Sequence, residues 1–462
     1  MKEYETSYVI RIAFFAAIAG LLFGFDTAII SGALKFIVKD LQIEETNILL
    51  QEYIVSSVPL GALLGATFSK LSSSLVGRKF SILITAILFS IGTLIAVIGS
   101  SVYTLIFGRF LMGLGVGLSS MIVPMYLSEI SPSSIRGRLV FCYQLAVTIG
   151  LLCAFLTNYI FCTSENWRHM FLVGLFPSLL LLIGTFIIPE SPRLLVMKHK
   201  YNDARKVLAR ITGNPSLVEK QLKEIKSVNS SQSSIRQLFM KPITPITILC
   251  VLIFAFQQLS GINVIMYYSP TIYQEAGFNK INEQLLASLL NGLIFVFATA
   301  VSTWIVDKVG RRKLFFTGCL GMLICLTLLG SIYSQVFNQY NIKYKMVLAI
   351  AAILGHIIFF AISLGPLPYL IMSELFPLKM KDSGMALASC SNWGFNVVVS
   401  VSFLSLINTF TISYTFYFYA FCIFIGIIFG FFFMPETKGV SLEQIEKNIF
   451  ANKKTRLVGR NT

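Results

Sequence analysis

The sequence predicts an all-α membrane protein with twelve transmembrane helices in two six-helix bundles, together with short intracellular amphipathic helices. Composition is the first observation: 55% of the 462 residues are hydrophobic and only 13% charged, with a mean hydropathy of +0.77, whereas soluble domains hold about 45–50% apolar and about 25% charged residues. The second is a set of twelve apolar runs of about 20 residues, the length that crosses a bilayer as a helix. The third is one long hydrophilic stretch that divides these runs six and six.

The twelve predicted spans follow one another with short connections in each half. They cover residues 8–32, 51–71, 80–100, 102–125, 139–160, 169–188, 243–269, 285–306, 313–333, 345–371, 383–408 and 413–434. The 40 Phe and 32 Gly suit lipid-facing helices that pack through small residues, because lipid gives helices no hydrophobic reason to associate. The first run is a full span without a small-residue cleavage pattern, so we expect it to remain as the first helix.

Four segments follow from this division. We expect an N-terminal bundle over 1–188, a linker over 189–241, a C-terminal bundle over 242–434 and a tail over 435–462. Within the linker, residues 202–211 and 217–228 carry apolar residues at helical spacing among charged ones, which is typical of amphipathic helices at a membrane surface. The serine-rich piece 227–234 is flexible by composition.

The net charge of +16 would suggest a nucleic-acid partner if the basic residues lay on one folded soluble face. If the amino terminus is cytoplasmic, however, only six of the 37 Lys and Arg residues lie on the outer side of the membrane. The positive-inside rule therefore predicts that both termini are cytoplasmic, and no nucleic-acid partner is expected. The eight cysteines lie singly, without CxxC or His at ligand spacing, so we expect no structural disulfide, no metal and no cofactor.

Three short motifs recur in the same order in the second half. LVGRK at 75–79 returns as KVGRR at 308–312, YLSEISP at 126–132 as IMSELFP at 371–377, and PESPR at 189–193 as PETKG at 435–439, at offsets of 233, 245 and 246 residues. Matches in this order indicate that the halves arose by duplication. A duplicated six-plus-six membrane protein is typical of transporters that bind their substrate between the halves at the midplane.

Six motifs carry a resemblance that spans nearly the whole chain. They are GRFLMGLGVG at 108–117, PMYLSEISPSSIRG at 124–137, PESPRLL at 189–195, QQLSGINVIMYYSP at 257–270, VDKVGRR at 306–312 and PETKGVSLEQIE at 435–446. Together they resemble the sugar porter family of the major facilitator superfamily. The segments 23–34 and 50–66 are most similar to bacterial proton-coupled monosaccharide symporters. The resemblance implies the major facilitator fold, transport by alternating access, an inner-membrane location and a functional monomer that is not an enzyme.

Asp26 and Arg109 are the two charged residues that we predict to lie well inside apolar helices. A charge at mid-span costs about 2.5–3.5 kcal/mol on insertion scales, so we expect the two to pair. Opening and closing such a pair would let the carboxyl group bind and release a proton. The resemblance implies the same role, and uniporter relatives commonly have Asn in place of the Asp. The alternative is a fixed structural ion pair that never titrates.

A binding site for a sugar, which is an uncharged polyol, must offer both hydrogen-bond donors and acceptors. Amide side chains provide both. The resemblance implies sugar contacts at Gln144, Gln257, Gln258, Asn263, Asn392, Trp393 and Asn396. It implies an outer gate at Tyr267 and Tyr268. The alternative for each amide is a hydrogen bond that only holds two helices together.

Charged residues also cluster at the predicted inner helix ends. The resemblance implies that they form an inner charge lock, which joins the bundles in the outward-facing state and consists of Arg78, Glu129, Arg136, Arg138, Glu190, Asp307, Arg311, Arg312 and Glu374. Positive-inside anchoring would explain the basic members but not the repeated acids Glu129 and Glu374. Ser74 and the Lys381–Asp382 pair depart from the family pattern, so a weaker or rearranged lock is expected.

Other departures leave the identity of the sugar open. Leu151 stands where xylose-type members have a second Gln, Phe295 replaces an Asn with Asn291 one turn away, and Tyr369 replaces a pocket Trp. The interior His356 is assigned no role. A facilitative uniporter of the same fold is the nearest alternative function, and a non-transporting sugar sensor is a more distant one.

Overall fold

The computed structural model describes residues 6–131, 136–212, 214–227, 235–334, 341–377 and 380–459. The helices of the first half are α1 (Thr6–Asp40), α2 (Ile48–Leu75), α3 (Arg78–Ile98), α4 (Val102–Ile130), α5 (Arg136–Phe161), α6 (Trp167–Val173) and α7 (Leu175–Ile187). The linker holds α8 (Pro192–Met197), α9 (Tyr201–Thr212) and α10 (Pro215–Ser227). The second half contains α11 (Thr244–Gln258), α12 (Ile262–Tyr267), α13 (Ser269–Glu275), α14 (Ile281–Val309), α15 (Arg311–Ile332), α16 (Ile342–Ile362), α17 (Leu367–Leu375) and α18 (Lys381–Phe433), and α19 (Leu442–Phe450) follows.

Eleven helical stretches of the described chain are long and apolar enough to cross a membrane. The longest of them, α18, has 53 residues and is interrupted at Thr411, whose φ of 75° and ψ of 157° are not helical. The predicted spans 383–408 and 413–434 lie on either side of this residue. Since 53 residues are about twice what one crossing needs, the prediction of twelve spans is confirmed.

Contacts between helices follow the duplication. The second span, α2, packs along the first part of α18, and the fifth span, α5, packs along α14. These partners are the eleventh and eighth spans, which are the repeats of the fifth and second. The two halves therefore meet through two equivalent helix pairs, as a twofold relation between duplicated bundles requires.

Glycines allow close approach of helix backbones at several crossings, as the sequence predicted for small residues. A Cβ added at Gly24 of α1 would lie 1.8 Å from the carbonyl oxygen of Val147 on α5. A Cβ at Gly113 of α4 would lie 2.2 Å from the carbonyl oxygen of Val58 on α2. Packing of this kind replaces the hydrophobic driving force that lipid does not provide.

Several predicted spans are broken in ways that position polar groups. The predicted span 243–269 is divided into α11, α12 and α13, with Gly261 in a left-handed conformation (φ 78°) between the first two. A second break, at residues 363–366, separates α16 from α17. The breaks free backbone groups and point side chains inward at mid-membrane depth, which is tolerated where the chain is covered by protein.

The linker contains the two predicted amphipathic helices, as α9 and α10, and adds the short helix α8. Their apolar sides form a small separate core that includes Leu195, Ala204, Leu208, Val218 and Leu222. Below, "inner face" means the face that carries Leu75, Arg78 and Ile130, which the sequence predicts to be cytoplasmic. "Outer face" means the opposite face, at Asp40, Ile48 and Ile98.

Candidate functional site

A buried ion pair lies inside the first half. Arg109 Nη1 of α4 is 3.6 Å from Asp26 Oδ1 of α1, and the two side chains are 1% and 0% exposed. Neither Asp26 oxygen accepts a hydrogen bond from the described residues, and Arg109 Nη1 donates none to them. The expected pairing is present, but the contact is loose, because no hydrogen bond fixes the carboxylate against the guanidinium.

Arg109 is held in place by groups other than Asp26. Its Nε donates to the carbonyl oxygen of Ile54 on α2 at 2.9 Å, and its guanidinium carbon lies 5.5 Å from the centre of the Phe171 ring. The arginine therefore keeps one strong contact whether or not the carboxylate is charged. Such an arrangement lets the carboxylate change its protonation without losing the position of its partner.

Three predicted sugar contacts and Tyr369, all in the second half, form one continuous chain of hydrogen bonds. Asn263 Nδ2 donates to Gln258 Oε1 at 2.5 Å, and Gln258 Nε2 donates to Asn392 Oδ1. Asn392 Nδ2 in turn donates to the hydroxyl of Tyr369 at 3.3 Å. The broken seventh span, α17 and α18 thus bring these groups together.

Gln257 has unused hydrogen-bonding capacity. Its Nε2 donates to the carbonyl oxygens of Leu364 at 2.6 Å and Gly365 at 3.1 Å, which are available because the chain leaves the helix between α16 and α17. Its Oε1 is buried and has no hydrogen-bond partner among the described residues. An unsatisfied buried acceptor costs about 1–3 kcal/mol, so a hydroxyl group bound there would relieve it.

Aromatic residues connect this cluster to the first half. Trp393 Nε1 donates to Ser120 Oγ of α4 at 3.3 Å, and the ring lies 5.2 Å from that of Phe23 on α1. Tyr267 donates to Asn396 Oδ1 at 3.2 Å. The Trp393 contacts therefore join α18 to both α1 and α4 of the first half.

Two further predicted residues have simpler surroundings. The hydroxyl of Tyr268 donates to the carbonyl oxygen of Ser400 at 3.0 Å, so both predicted gate tyrosines bind α18. Gln144 on α5 is half-buried, and no hydrogen bond joins its amide to the described residues. It is the one predicted sugar contact from the first half.

The predicted acids and arginines of the inner face form the same cluster twice. In the first half, Arg78 Nε and Nη2 donate to Glu129 at 3.2 and 3.1 Å. Ser191 Oγ donates to the same carboxylate, and Glu190 accepts from the backbone N–H of Arg78 at 3.0 Å.

The second half repeats this geometry. Arg311 Nη2 donates to Glu374 at 2.9 Å, and Thr437 Oγ1 donates to the same carboxylate at 2.5 Å. Glu436 accepts from the backbone N–H groups of Arg311 at 3.0 Å and Arg312 at 3.1 Å. Both ion pairs therefore join helices of one half. The side chains of Arg136, Arg138 and Asp307 lie outside the described part of the chain.

Sequence reasoning missed Glu436, although a signal was present. Glu436 lies in PETKG, the repeat of PESPR, at the offset of 246 residues that relates it to Glu190. Applying the offset to each member of the set would have predicted its role.

Sequence reasoning also missed the burial of Glu52. Glu52, five residues into α2, is also 0% exposed. It was missed because it lies close to the end of its predicted span, where an acid usually reaches water.

A twelve-span bundle with a buried acid–arginine pair in one half and a chain of amides in the other defines a multi-pass membrane transporter. The profile of the family "Sugar (and other) transporter" matches residues 12–449. The chain belongs to this family, and it is a transporter rather than an enzyme.

Individual relatives cover nearly the whole chain. The galactose-proton symporter of Escherichia coli K12 is 39% identical over 450 residues, 97% of this chain and 96% of the relative. The arabinose-proton symporter of the same strain is 36% identical over 448 residues, 96% and 94% of the two chains. A solved structure of the E. coli xylose transporter XylE, in a partially occluded inward open conformation, matches with a TM-score of 0.82 and 29% identity, covering 94% of this chain and all of that one.

Proposed function

We propose that this protein is a proton-coupled monosaccharide symporter of a bacterial inner membrane, with both termini in the cytoplasm. The observation that carries the proposal is the buried, loosely paired Asp26 beside a fixed Arg109. A permanently structural pair would be expected to satisfy both carboxylate oxygens with hydrogen bonds. Here both oxygens lack one among the described residues, which suits a group that exchanges a proton.

The amide cluster supports a sugar as the cargo. The unsatisfied Gln257 Oε1 offers an acceptor, and the Trp393 and Phe23 rings offer an apolar surface for sugar C–H groups. In this proposal Gln144, Gln257, Gln258, Asn263, Asn392, Trp393 and Asn396 contact the sugar. The relatives named for galactose, arabinose and xylose support a monosaccharide.

Transport in this proposal occurs by alternating access. The bundles over 1–188 and 242–434 rock about the sugar site, while the linker over 189–241 and the tail stay on the cytoplasmic side. Tyr267 and Tyr268 close the site toward the outside. The inner charge lock closes it toward the cytoplasm, with the paired clusters around Glu129 and Glu374 meeting in the outward-facing state.

The uniporter alternative predicts a different result from one experiment. The purified protein is placed in proteoliposomes, and radiolabelled sugar and external pH are followed together, with unlabelled galactose, arabinose, xylose and glucose as competitors. We expect sugar entry to alkalinise the medium and an imposed proton gradient to drive accumulation. Equilibration without accumulation would favour the uniporter, and sugar binding without flux would favour a sensor.

The inner charge lock gives a separate prediction. Glu129→Gln and Glu374→Gln each remove one carboxylate charge from a largely buried cluster. The outward-facing state, in which the two clusters meet in this proposal, should therefore lose at least about 1 kcal/mol, or about fivefold in population. The measurement is labelling of Tyr267→Cys by an impermeant maleimide from outside, in a background without native cysteines. Glu219→Gln, which removes an exposed acid of the linker, is the control. Equal labelling rates in all three variants and the background would contradict the lock.

A further inference from the structure

Glu52 is a buried acid that the proposed function does not use. Its carboxylate oxygens accept hydrogen bonds from the backbone N–H and the Oγ of Ser405, both at 2.7 Å. The two residues are 353 positions apart and belong to different halves. The contact joins the two halves near the outer face, so separation of the halves at that face would break it.

The outer face is closed by two other contacts between the halves. Lys35 Nζ donates to Gln274 at 2.5 Å and to Gln284 at 2.9 Å, and Cys162 Sγ donates to Asn282 at 3.1 Å. These contacts remain partly open to water, whereas Glu52 is 0% exposed. Closing the outer face therefore removes the Glu52 carboxyl group from water completely.

The surroundings of Glu52 provide no compensating cation. Within the described chain, no lysine, arginine or histidine forms an ion pair with it. The helices packed against α2 are α1, α3, α4 and α18. Their charged residues away from the inner face are Asp26, Lys35, Lys39 and Asp40 of α1 and Arg109 of α4. Lys39 pairs with Glu165, and Asp40 with Arg168.

Arg109 is the fully buried cation among these residues, and its contacts are with other groups. It pairs with Asp26 and donates to Ile54. The Tyr268 hydroxyl is a neutral group that donates to the carbonyl oxygen of Ser400. An ionised Glu52 would thus be a buried charge that has hydrogen bonds from Ser405 and from the backbone of Leu404 but no paired cation in the described chain, which is costly.

A neutral carboxylic acid fits the same positions without that cost. One oxygen accepts from the backbone N–H of Ser405, and the other, carrying the proton, donates to Ser405 Oγ across the same distance. When the halves separate at the outer face, the contact with Ser405 is lost and water reaches Glu52. The ionised form is then favoured, as it is for an ordinary solvated glutamate.

We propose that Glu52 is a second proton-binding site, which takes up one proton from the outer solution when the outer face closes and returns it there when that face opens. This rests on the alternating access of the proposed function. The proton is bound and released on the same side, so it adds nothing to the number of protons carried per sugar. Its effect is to make closure depend on external pH.

The size of the dependence follows from linkage. Where the open form has an ionised Glu52 and the closed form a protonated one, each tenfold rise in proton concentration favours closure by a factor of up to ten. Asp26 also binds protons in the proposed function, so the test is made in the Asp26→Asn background. Any remaining pH dependence then belongs to another group.

The measurement is the distance between two spin labels on the outer face, which does not depend on thiol chemistry once the labels are attached. Tyr103 at the start of α4 and Tyr344 at the start of α16 are 79% and 69% exposed and belong to different halves. Each is replaced by Cys, and the native cysteines are replaced by Ser. Populations of the long and short distances are recorded between about pH 5 and pH 8, around and above the ordinary glutamate range.

We expect the short-distance population to grow relative to the long one as pH falls, by up to tenfold per pH unit. Glu52→Gln should abolish this dependence and keep the closed population at its low-pH value, because a glutamine amide accepts and donates as the neutral acid does. Glu45→Gln, which changes an exposed acid of the preceding loop, should leave the pH dependence intact. Ser405→Ala should reduce closure at low pH, since it removes the hydroxyl that contacts the Glu52 carboxyl group.

Three results would overturn the inference. One is an unchanged pH dependence in Glu52→Gln. Another is an outer face that opens at every pH in Glu52→Gln, which would mean that the ionised carboxylate is the closing form. The third is pH-independent populations in the Asp26→Asn background itself. None of them alters proton-driven sugar accumulation by the parent, so failure of this inference is distinguishable from failure of the proposed function.

Discussion

Asp26→Asn is expected to abolish proton-driven sugar accumulation while leaving sugar binding and exchange across the membrane largely intact. The substitution keeps the size of the side chain and deletes the proton site. Arg109 keeps its hydrogen bond to the carbonyl oxygen of Ile54 at 2.9 Å and its contact with the Phe171 ring. We therefore expect the position of Arg109 to be unchanged in the variant. The loss should be complete, because no proton then moves with the sugar.

The expected size of the parent signal makes this test decisive. One charge crossing per sugar draws about 2.3 kcal/mol per 100 mV. At about 1.4 kcal/mol per decade, this permits accumulation on the order of fiftyfold. The measurement is the ratio of internal to external sugar in proteoliposomes under an imposed gradient, alongside exchange of labelled for unlabelled sugar.

Asp203→Asn is the matched control for the same chemical change. Asp203 lies exposed in the linker, 3.7 Å from Lys206, and surface pairs of this kind contribute about 0–1 kcal/mol. It should accumulate sugar as the parent does. If Asp26→Asn still concentrates sugar, Asp26 is not the coupling residue.

Gln257→Ala is expected to raise the half-saturation concentration for sugar by at least about tenfold. In this proposal a sugar hydroxyl donates to the unsatisfied Oε1. A buried hydroxyl left without a partner costs about 1–3 kcal/mol, and about 1.4 kcal/mol corresponds to a tenfold change in affinity. Gln258→Ala should have an effect of similar size for a different reason, because it breaks the chain from Asn263 to Asn392. Initial rates of uptake over a range of sugar concentrations measure both.

The competing interpretation, that these amides only hold helices together, has its own control in Asn158, a buried amide outside the predicted sugar site whose Oδ1 also has no hydrogen-bond partner among the described residues. Its Nδ2 donates to the carbonyl oxygen of Ala28 at 3.2 Å, which joins α5 to α1. Asn158→Ala should lower thermal stability without changing the half-saturation concentration. If Gln257→Ala behaves like Asn158→Ala, the sugar site lies elsewhere.

Much of the fold could be predicted from local patterns along the chain. Long apolar runs, the distribution of Lys and Arg and three repeated motifs predict twelve spans in two related halves. Interior charges are rare, so the pairing of Asp26 with Arg109 could also be expected. The break near Gly261 was predictable because Ser-Gly weakens a helix at that point. Even the missed Glu436 lay within reach of the repeat offset.

Only the tertiary structure decided which polar groups are satisfied. Gln257 and Gln258 are adjacent and chemically identical. The Gln258 amide forms hydrogen bonds with Asn263 and Asn392, whereas Gln257 Oε1 has no hydrogen-bond partner among the described residues. The difference depends on the carbonyl oxygens of Leu364 and Gly365, more than a hundred residues away. No local pattern contains that information.

Glu52 illustrates the same division. Its sequence position near the end of a predicted span indicates a residue at the membrane surface, in contact with water. The packing of α2 against α18 instead buries it completely beside Ser405. Hydropathy determines which segments enter the membrane, because each residue contributes independently to that transfer. Which side chains then meet depends on how distant helices cross, and this is set by the close packing of the two halves as a whole.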